Sequence, residues 1–242
     1  MATPAFSPSH GSKAEVYYNG YDISHYLKSA ATNKQRDKAE ASTFKSTTKR
    51  YTVGLVDPVL ALEGYFDGNR ERVDDLMNEA IDAEDGVFSH FPAGTALGAL
   101  GNSLLSVTTK YEITSEIGAT VGVSIEASAG KSGVIDKVRS AVTDQVVSAV
   151  GNSGVIDFKA ASTKVGSISV HGFTTGGAMN VVLQDSADGT TFADVATVNF
   201  TGGTVLNPVR AGKRAVTTSN LRRYARVRWD GAGTIIIAAI GR

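Results

Sequence analysis

Segments in which apolar and polar residues alternate, separated by glycine-containing turns, run through most of this sequence. In residues 121–126, for example, Val or Ile alternates with Gly, Ser or Glu, and a period of two is typical of strands. The dipeptides Asn19-Gly20 and Asp188-Gly189 favour two-residue hairpin turns. Val, Ile and Thr recur throughout, and there are 26 glycines, a mixture that suits strands joined by tight turns. These features predict a mainly β protein.

One segment has helical spacing instead. Apolar residues recur on one helix face, with acidic residues opposite: Val73, Leu76, Met77, Ala80 and Ile81. Asp67-Gly68-Asn69 offers an N-terminal cap, and Gly86 can end the helix. We therefore predict one helix near residues 70–83. Residues 134–150 are ambiguous by the same criterion, because their apolar spacing suits a helix and their β-branched residues suit strands.

Composition excludes several classes of protein. The chain has no cysteine, so disulfides and thiolate metal sites are excluded. No run of apolar residues approaches the length of a membrane span, so we expect no membrane partner. Residues 1–8 lack the basic start and apolar core of a signal peptide, and residues 1–15 are predicted to form a flexible arm.

Charge is distributed unevenly along a chain whose formal net charge is zero. Residues 1–130 carry 11 basic and 17 acidic residues, whereas residues 131–242 carry 13 basic and 7 acidic residues. Such asymmetry indicates two parts that face different surroundings, or that face each other. Residues 154–242 also contain a fresh set of alternating segments and turns, which predicts a separate, all-β, sandwich or jelly-roll domain there.

Motifs of catalysis and of metal or phosphate binding were sought and not found. The four histidines lack a partner at metal-ligand spacing, and surface or hydrogen-bonded histidine is the simpler interpretation: His10, His25, His90 and His171. Gly130-Lys131-Ser132 resembles the end of a phosphate-binding loop, but Ile125 stands where that loop needs glycine. Near Asp185 and Asp188-Gly189 the ligand spacing and terminal Glu of a calcium loop are missing, so a hairpin turn explains them better. We therefore predict no catalytic residue, cofactor or metal.

A basic cluster near the C-terminus could contact phosphate: Arg222, Arg223, Arg226 and Arg228. Arg226 and Arg228 alternate along one predicted strand, so the solvated face of that strand is the favoured interpretation, and contact with acidic neighbours comes next.

A long polar stretch, residues 28–50, reads as a long loop or an extended hairpin. Long loops in compact domains are usually functional or disordered, so residues 31–52 are expected to be mobile in a free subunit and ordered by contact with another.

Three segments together resemble the tail tube proteins of siphophages, the bacteriophages with long non-contractile tails. Residues 17–27 (YYNGYDISHYL) resemble that family's V-N-G-x-D-[IL]-S-x-Y-L opening. Residues 39–44 (AEASTF), with 53–55 (VGL) and 60–67 (LALEGYFD), resemble its D-T-T-x-F, G-L and L-x-G-F-F-D stretch. Residues 183–192 and 223–227 are similar to a β unit often attached at the C-terminus of these proteins.

The resemblance implies a mainly β fold, namely a tail-tube-type β-sandwich or barrel with one flanking α-helix, followed by a C-terminal all-β jelly-roll-like domain. The implied domains are a tube domain at 16–133 with its helix near 70–83, a linker or connecting strands at 134–153, and a C-terminal β-sandwich at 154–242. It also favours extended structure over a helix for residues 134–150.

The resemblance further implies a structural virion protein rather than an enzyme. Protomers of the family form rings, usually hexameric, that stack into a tube conducting genomic DNA. The implied partners are other copies of the chain, the tape measure protein, the tail terminator and tip proteins, and transiting DNA without specific binding. The expected location is the phage tail, assembled in the bacterial cytoplasm.

Two groups of residues are then candidates for function. Contacts between rings are expected from the polar stretch: Lys38, Glu40, Ser42, Thr43, Phe44, Lys45, Lys49 and Arg50. A conduit should repel phosphates, so acidic residues on the later strands are the candidates for the lumen: Glu112, Glu116 and Glu126. The acidic N-terminal domain would form the tube wall, and the basic C-terminal domain would lie outside or lean on its neighbours.

Two alternatives remain open at this stage. A capsid decoration or other virion surface protein would use residues 154–242 to bind carbohydrate, and it predicts an exposed aromatic platform there. A hydrolase would need a nucleophile beside a base, and the sequence shows no such pair.

Overall fold

The computed structural model describes residues 11–45, 47–130, 135–204 and 207–242. Residues 1–10 of the flexible arm predicted at 1–15 lie outside these ranges. Its remainder is ordered, since Gly11–Lys13 forms a short 3-10 turn and Glu15 begins the first strand. The predicted boundary between the tube domain and the linker, at residues 133 and 134, also falls outside the described residues.

The mainly β fold with one helix is confirmed. The helix α1 is Val73–Asp82, within the range expected from the sequence. The strands are β1 Glu15–Tyr18, β2 Tyr21–Asp22, β3 Leu27–Glu40, β4 Tyr51–Tyr65, β5 Gly86–Phe91, β6 Leu100–Thr114, β7 Gly122–Ala129, β8 Ile135–Val147, β9 Gly151–Asn152, β10 Ile156–Asp157, β11 Val165–Ser186, β12 Ala193–Phe200, β13 Val209–Asn220 and β14 Tyr224–Gly241. The ambiguous residues 134–150 therefore contain a strand, β8, and not a helix.

Asn19-Gly20 forms the predicted two-residue turn, whereas Asp188-Gly189 lies in a longer connection, residues 187–192, between β11 and β12. Asn19 and Gly20 have positive φ angles of 41° and 86° between the paired residues Tyr18 and Tyr21. This is the backbone of a two-residue hairpin turn, in which asparagine and glycine are favoured.

The chain divides into two compact units that are discontinuous in sequence. The first unit contains the residues as far as His25, then Gly86–Leu104 and Asp136–Arg242. The second unit contains Tyr26–Asp85 and Leu105–Ile135. This division differs from the predicted domains 16–133 and 154–242 and from the predicted linker at 134–153, which here contributes β8 to the first unit.

A cluster of buried side chains explains why the first unit needs all three of its segments. Tyr17 of β1 and Phe91 of β5 pack with Val138 of β8 and with Ile237 and Ala239 of β14. All five are at most 5% exposed. A boundary between residues 133 and 154 would divide this cluster, and each half would expose apolar surface to water.

The first unit is organised around its two longest strands, β11 and β14. They pair antiparallel along most of their length, and the opposite edge of β11 pairs with β13 and then with β12. Strand β14 also pairs with β8, β9 and β10, while β1 pairs with β2 and β5. The main core lies against these strands and includes Ile168, Val170, Leu183, Ile235 and Ile240.

The second unit is an antiparallel sheet in the order β3-β4-β7-β6. On one face, Leu60 and Leu62 of β4 lie opposite Ala127 and Ile125 of β7, and all four are buried. On the same face, Tyr111 pairs with Ile125, and its Oη donates to Asp74 Oδ1 of α1 over 2.7 Å.

Helix α1 covers that face with its apolar side. Val73, Leu76, Met77 and Ala80 are all buried. The helix begins after Arg72, which makes no side-chain cap, so the predicted cap at residues 67–69 is wrong in position. Asp67 instead accepts the backbone N–H of Asn69 in the preceding turn, over 3.1 Å.

Candidate assembly surfaces

Strands β3 and β4 extend well beyond the rest of the second unit. Strand β7 pairs with β4 only over residues 59–65, whereas the β3–β4 pairing continues to Glu40 and Tyr51. Residues 34–58 are therefore a two-stranded projection, here called the hairpin arm. Of the two predictions for the polar stretch, the structure supports the extended hairpin.

The hairpin arm carries exposed apolar side chains. Its pairing register shifts between Arg36 and Lys38, and this bulge places Val53 and Tyr51 on the same face as Val56. Tyr51 is 49% exposed, Val53 65% and Leu55 83%. The cross-strand partners of Val56, Val53 and Tyr51 are charged: Arg36, Lys38 and Glu40. A two-stranded ribbon is marginally stable by itself, so the exposed apolar side chains suit the arm to burial against another molecule.

All eight predicted inter-ring residues lie on the hairpin arm, at its outer end. Lys38 and Glu40 are on β3; the other six surround the tip. Local bonds close that tip: the Arg50 N–H donates to Ser42 Oγ over 3.0 Å, and Lys49 Nζ lies 3.6 Å from Glu40 Oε2. Phe44 is fully exposed at the tip. The tip thus presents an aromatic ring and flanking charges without support from either core.

The face of the second unit's sheet opposite α1 is open and acidic. On this face the side chains of paired residues lie side by side across β4, β7 and β6. One such row is Glu63, Ser124 and Glu112, and the next row is Ala61, Glu126 and Lys110. Alternation along β3 and β4 adds further carboxylates to this face. Its acidic residues are Asp37, Asp57, Glu63, Glu112 and Glu126, against the amines of Lys28 and Lys110.

Two of the acids on the open face form ion pairs there. Lys110 Nζ lies 2.6 Å from Glu112 Oε2, and Lys28 Nζ lies 3.5 Å from Glu63 Oε2. The hydrogen bond that Lys110 donates to Glu112 raises the pKa of Lys110 above its ordinary value, and the charge of Glu126 adds to this. Five carboxylates against two amines leave the open face net negative.

Each of the three predicted lumen residues can now be placed. Glu112 and Glu126 lie on the open face, whereas Glu116 lies in the β6–β7 turn. Glu116 lines a shallow depression together with Lys28 and Glu63. Sequence reasoning missed Asp37, Asp57 and Glu63, because the register of β3 with β4 brings them to this face.

A serine and a histidine that could suggest catalysis lie in the first unit. Ser89 Oγ is 2.9 Å from His171 Nε2, and the Gly20 N–H donates to His171 Nδ1 over 3.3 Å. Because Nδ1 accepts this bond, the neutral ring carries its proton on Nε2 and donates to Ser89. A base that activates serine needs the reverse arrangement. Both side chains are also buried, which closes them to a substrate.

The other groups considered as chemical sites are engaged in structural bonds. Asp188 accepts the backbone N–H groups of Thr190 and Thr191, each over 2.9 Å, and these bonds hold the pKa of its carboxyl well below the usual range. Gly189 beside it has a φ of 78°, as the turn requires. Within the described ranges, no group of three or more His, Asp or Glu residues is arranged to hold a metal ion.

The arginine cluster is occupied by neighbouring side chains. Arg222 pairs with the buried Asp185 at 2.6 Å, and Arg223 pairs with Asp157 at 2.9 Å through two parallel bonds. Arg226 donates to Gln184 over 2.8 Å, and Arg228 lies 3.5 Å from Asp194 and 3.6 Å from Asp230. Contact with acidic neighbours, the second interpretation, therefore applies to Arg222, Arg223 and Arg228. The side chains of Arg222 and Arg223 remain 41% and 42% exposed, so solvent also reaches the cluster.

The aromatic residues of 154–242 do not form the platform that the carbohydrate-binding alternative predicts. Phe158, Phe200 and Trp229 are buried. The remaining three each lie beneath a guanidinium group, at 4.0–4.7 Å from ring centre to carbon: Phe173 with Arg210, Phe192 with Arg226 and Tyr224 with Arg223.

Comparison with known proteins gives only distant similarity. The sequence matches no protein-family model and no curated protein. A chain of the native gene transfer agent virion is 9% identical, over 54% of this chain and 98% of that one, with a TM-score of 0.42. The Dit protein (gp 19.1) of phage SPP1 is 11% identical, over 90% and 98%, with a TM-score of 0.39. The cap of the anti-feeding prophage tube is 14% identical, over 57% and 96%, with a TM-score of 0.42.

Within the described part of the chain, no helix has the length and apolar character needed to cross a membrane.

Proposed function

We propose that this chain is a structural subunit of a bacteriophage tail, which self-assembles into stacked rings that form the tail tube and conduct genomic DNA. The observation that carries the proposal is the open, acidic face of the second unit's sheet. Among the described strands, the end strand of this sheet, β3, has one partner, β4. The sequence resemblance to siphophage tail tube proteins also supports this function.

Ring closure would use the outer edge of strand β3. An edge strand presents unpaired N–H and C=O groups, and it readily accepts a strand of another chain. Among the described strands β3 pairs with β4 alone, so its outer edge can accept a strand of the next copy. Such head-to-tail contact closes into a ring when the rotation per subunit permits. The resemblance suggests six subunits.

Stacking would use the hairpin arm. Its exposed apolar side chains, among them Phe44, gain stability when a neighbouring ring covers them, by about 25 cal/mol for each Å² of apolar surface removed from water. The charged residues near the tip, Lys45, Lys49 and Arg50, would then select the orientation of the neighbouring ring.

The open face would line the channel. DNA carries about one negative charge per 1.7 Å of its axis, so a basic wall would bind it and slow its passage. The net negative open face, with Glu112 and Glu126 on it and Glu116 at its edge, repels DNA instead.

The other expectations from the resemblance remain part of the proposal. The partners would be further copies of the chain, the tape measure protein, and the terminator and tip proteins of the tail. Transiting DNA would not be bound specifically. The protein would act in the virion, after assembly in the host cytoplasm, and it would not be an enzyme.

Sizing chromatography with light scattering, followed by negative-stain electron microscopy, tests the proposal. Rings or tubes are expected in the purified protein at high concentration, or in a lysate of infected cells where assembly is nucleated. The Phe44→Ser variant should remain folded but stack poorly, whereas Val150→Ser, at a 67% exposed position in the first unit, should behave as wild type. A strict monomer in both preparations contradicts the proposal.

A further inference from the structure

A basic pocket lies in the first unit. Its walls are Lys137 and Arg139 of β8, Arg242, Leu100 and Phe158, and it encloses about 170 Å³. Among the described residues, no carboxylate lies within ion-pair distance of its three cationic side chains. The pocket therefore differs from the arginine cluster, in which three of the four arginines have acidic partners.

Two of the cations in the basic pocket are held in place. The guanidinium carbons of Arg139 and Arg242 lie 5.8 Å and 4.7 Å from the centre of the Phe158 ring. Arg139 donates to the Gly98 carbonyl over 2.9 Å, and Arg242 donates to the Ala160 and Phe158 carbonyls over 2.8 and 3.1 Å. Each guanidinium keeps further N–H donors, and fixed donors of this kind suit a carboxylate or phosphate oxygen.

The second unit carries a surface of the opposite charge. Asp75, Glu79 and Asp82 are exposed and lie at helical spacing on one side of α1. No cation pairs with Glu79 or Asp82 among the residues the structure describes. The sequence assigns 13 basic and 9 acidic residues to the first unit and 11 basic and 15 acidic residues to the second, so the uncompensated charges of the two units are complementary.

We infer that the basic pocket binds the acidic side of α1 in a second copy of this chain, with a carboxylate of Glu79 or Asp82 entering between the guanidinium groups. This rests on the proposed function in so far as that function brings copies together. Strand pairing alone allows two copies to join in several registers and orientations. The contact between the pocket and α1 would add selection by charge to that interface. Like charges brought together there are repelled, so misplaced copies are rejected.

A charge-swap experiment tests the inference. The pocket variant is Lys137→Glu with Arg242→Glu, and the helix variant is Glu79→Lys with Asp82→Lys; all four positions are exposed. The control, Lys13→Glu with Lys164→Glu, makes the same charge change at exposed sites elsewhere in the first unit. Self-association is measured by sedimentation velocity over a concentration series, and folding by circular dichroism.

Each swapped variant alone should need about tenfold or more higher concentration to associate than wild type or the control. An equimolar mixture of the two should recover the wild-type concentration, because each acidic pocket then meets a basic helix. Wild-type protein that assembles while both variants assemble equally well overturns the inference and leaves the proposed function standing. A wild type that remains monomeric both in this series and in the lysate of infected cells overturns both.

Binding of inorganic phosphate tests the other candidate occupant of the pocket, a free anion. Phosphate that binds the wild-type protomer, with no recovery of association in the mixture, assigns the pocket to a free anion and overturns the inference. Recovery in the mixture supports it.

Discussion

Ser89 Oγ and His171 Nε2 are 2.9 Å apart, although the two residues are separated by 82 positions in the sequence. Ser89 also bonds Ser103, and Ser103 bonds Ser169 at 2.8 Å, so four buried polar side chains form one network. A buried polar group without a partner costs about 1–3 kcal/mol, so this network favours one arrangement of β5, β6 and β11.

Acid should destabilise the first unit through His171. Burial lowers the pKa of His171 to about 3, from an ordinary value near 6.5 in the unfolded chain. Between these two values the unfolded chain binds a proton that the folded one does not, so stability is lost as the pH falls below about 6.5. The loss approaches about 1.4 kcal/mol per pH unit from this residue alone. Urea unfolding followed through Trp229, the one tryptophan, measures it.

His171→Asn should reduce that slope, while its stability at neutral pH falls by about 1–3 kcal/mol through the weakened network. His25→Asn, at an exposed position, is the matched control and should keep the wild-type slope. Equal slopes in all three proteins would contradict the role given to His171.

Two adjacent arginines should contribute unequally to stability. Asp185 is 2% exposed, and Arg222 supplies both its side chain and its backbone N–H to it. Arg222→Met leaves this carboxylate buried without its cation, and we expect a loss of about 2–3 kcal/mol in the free energy of unfolding. Arg223→Met is the control, because Asp157 is 26% exposed and stays hydrated; its loss should be clearly smaller than that of Arg222→Met. Similar losses in urea unfolding would contradict this account.

Removal of the C-terminal strands should unfold the first unit. A fragment ending at residue 150 lacks β11 and β14, so Tyr17, Phe91 and Val138 lose the cover of Ile237 and Ala239. We expect an aggregation-prone fragment without cooperative unfolding by circular dichroism. A soluble fragment that unfolds cooperatively would instead support a boundary near residues 134–153.

Local features of this fold could be predicted from the sequence. The spacing of Val73, Leu76 and Ala80 located α1, and Asn19-Gly20 located a two-residue turn, because each depends on residues close in sequence. Asp188-Gly189 marked the connection between β11 and β12, but that connection is longer than the predicted two-residue turn. The extended hairpin was one of the two forms predicted for residues 28–50, and that prediction also depended on residues close in sequence.

Non-local features of the fold could not be predicted from the sequence. Alternation in β1 or β8 shows that a strand exists, but it does not show that β1 pairs with β5 or β8 with β14. The predicted domain boundary was placed wrongly for that reason. The acidic partners of the arginine cluster were missed in the same way, since Asp157 and Asp185 are 66 and 37 residues from Arg223 and Arg222.

The hairpin arm should exchange its amide hydrogens rapidly in the free protomer and slowly in an assembly. Residues 34–58 lie beyond the reach of β7, so few contacts oppose their opening. Hydrogen–deuterium exchange on monomer and tube preparations measures the difference for residues 31–52. The buried β11 serves as an internal control, with slow exchange in both states. Equal protection of the arm in the two states would contradict its role between rings.

Reversal of charge on the open face should slow DNA without preventing assembly. Glu112→Lys with Glu126→Lys changes a face of five carboxylates and two amines into one with three carboxylates and four amines. Phage carrying these changes should eject DNA more slowly at low salt and recover as salt screens the attraction. The corresponding Gln variants keep side-chain size and should have an intermediate effect. Ejection at the wild-type rate at every salt concentration would contradict an acidic lumen formed by these residues.

Cryo-electron microscopy of the assembled protein, from purified tubes or phage tails, tests the central claim most directly. The account predicts stacked rings whose channel is lined by the open face of the second unit's sheet, with Glu112 and Glu126 directed towards the DNA path and α1 on the outer side of that sheet. A channel lined mainly by lysine and arginine, or an assembly in which this face is buried against another protein and encloses no channel, would contradict it.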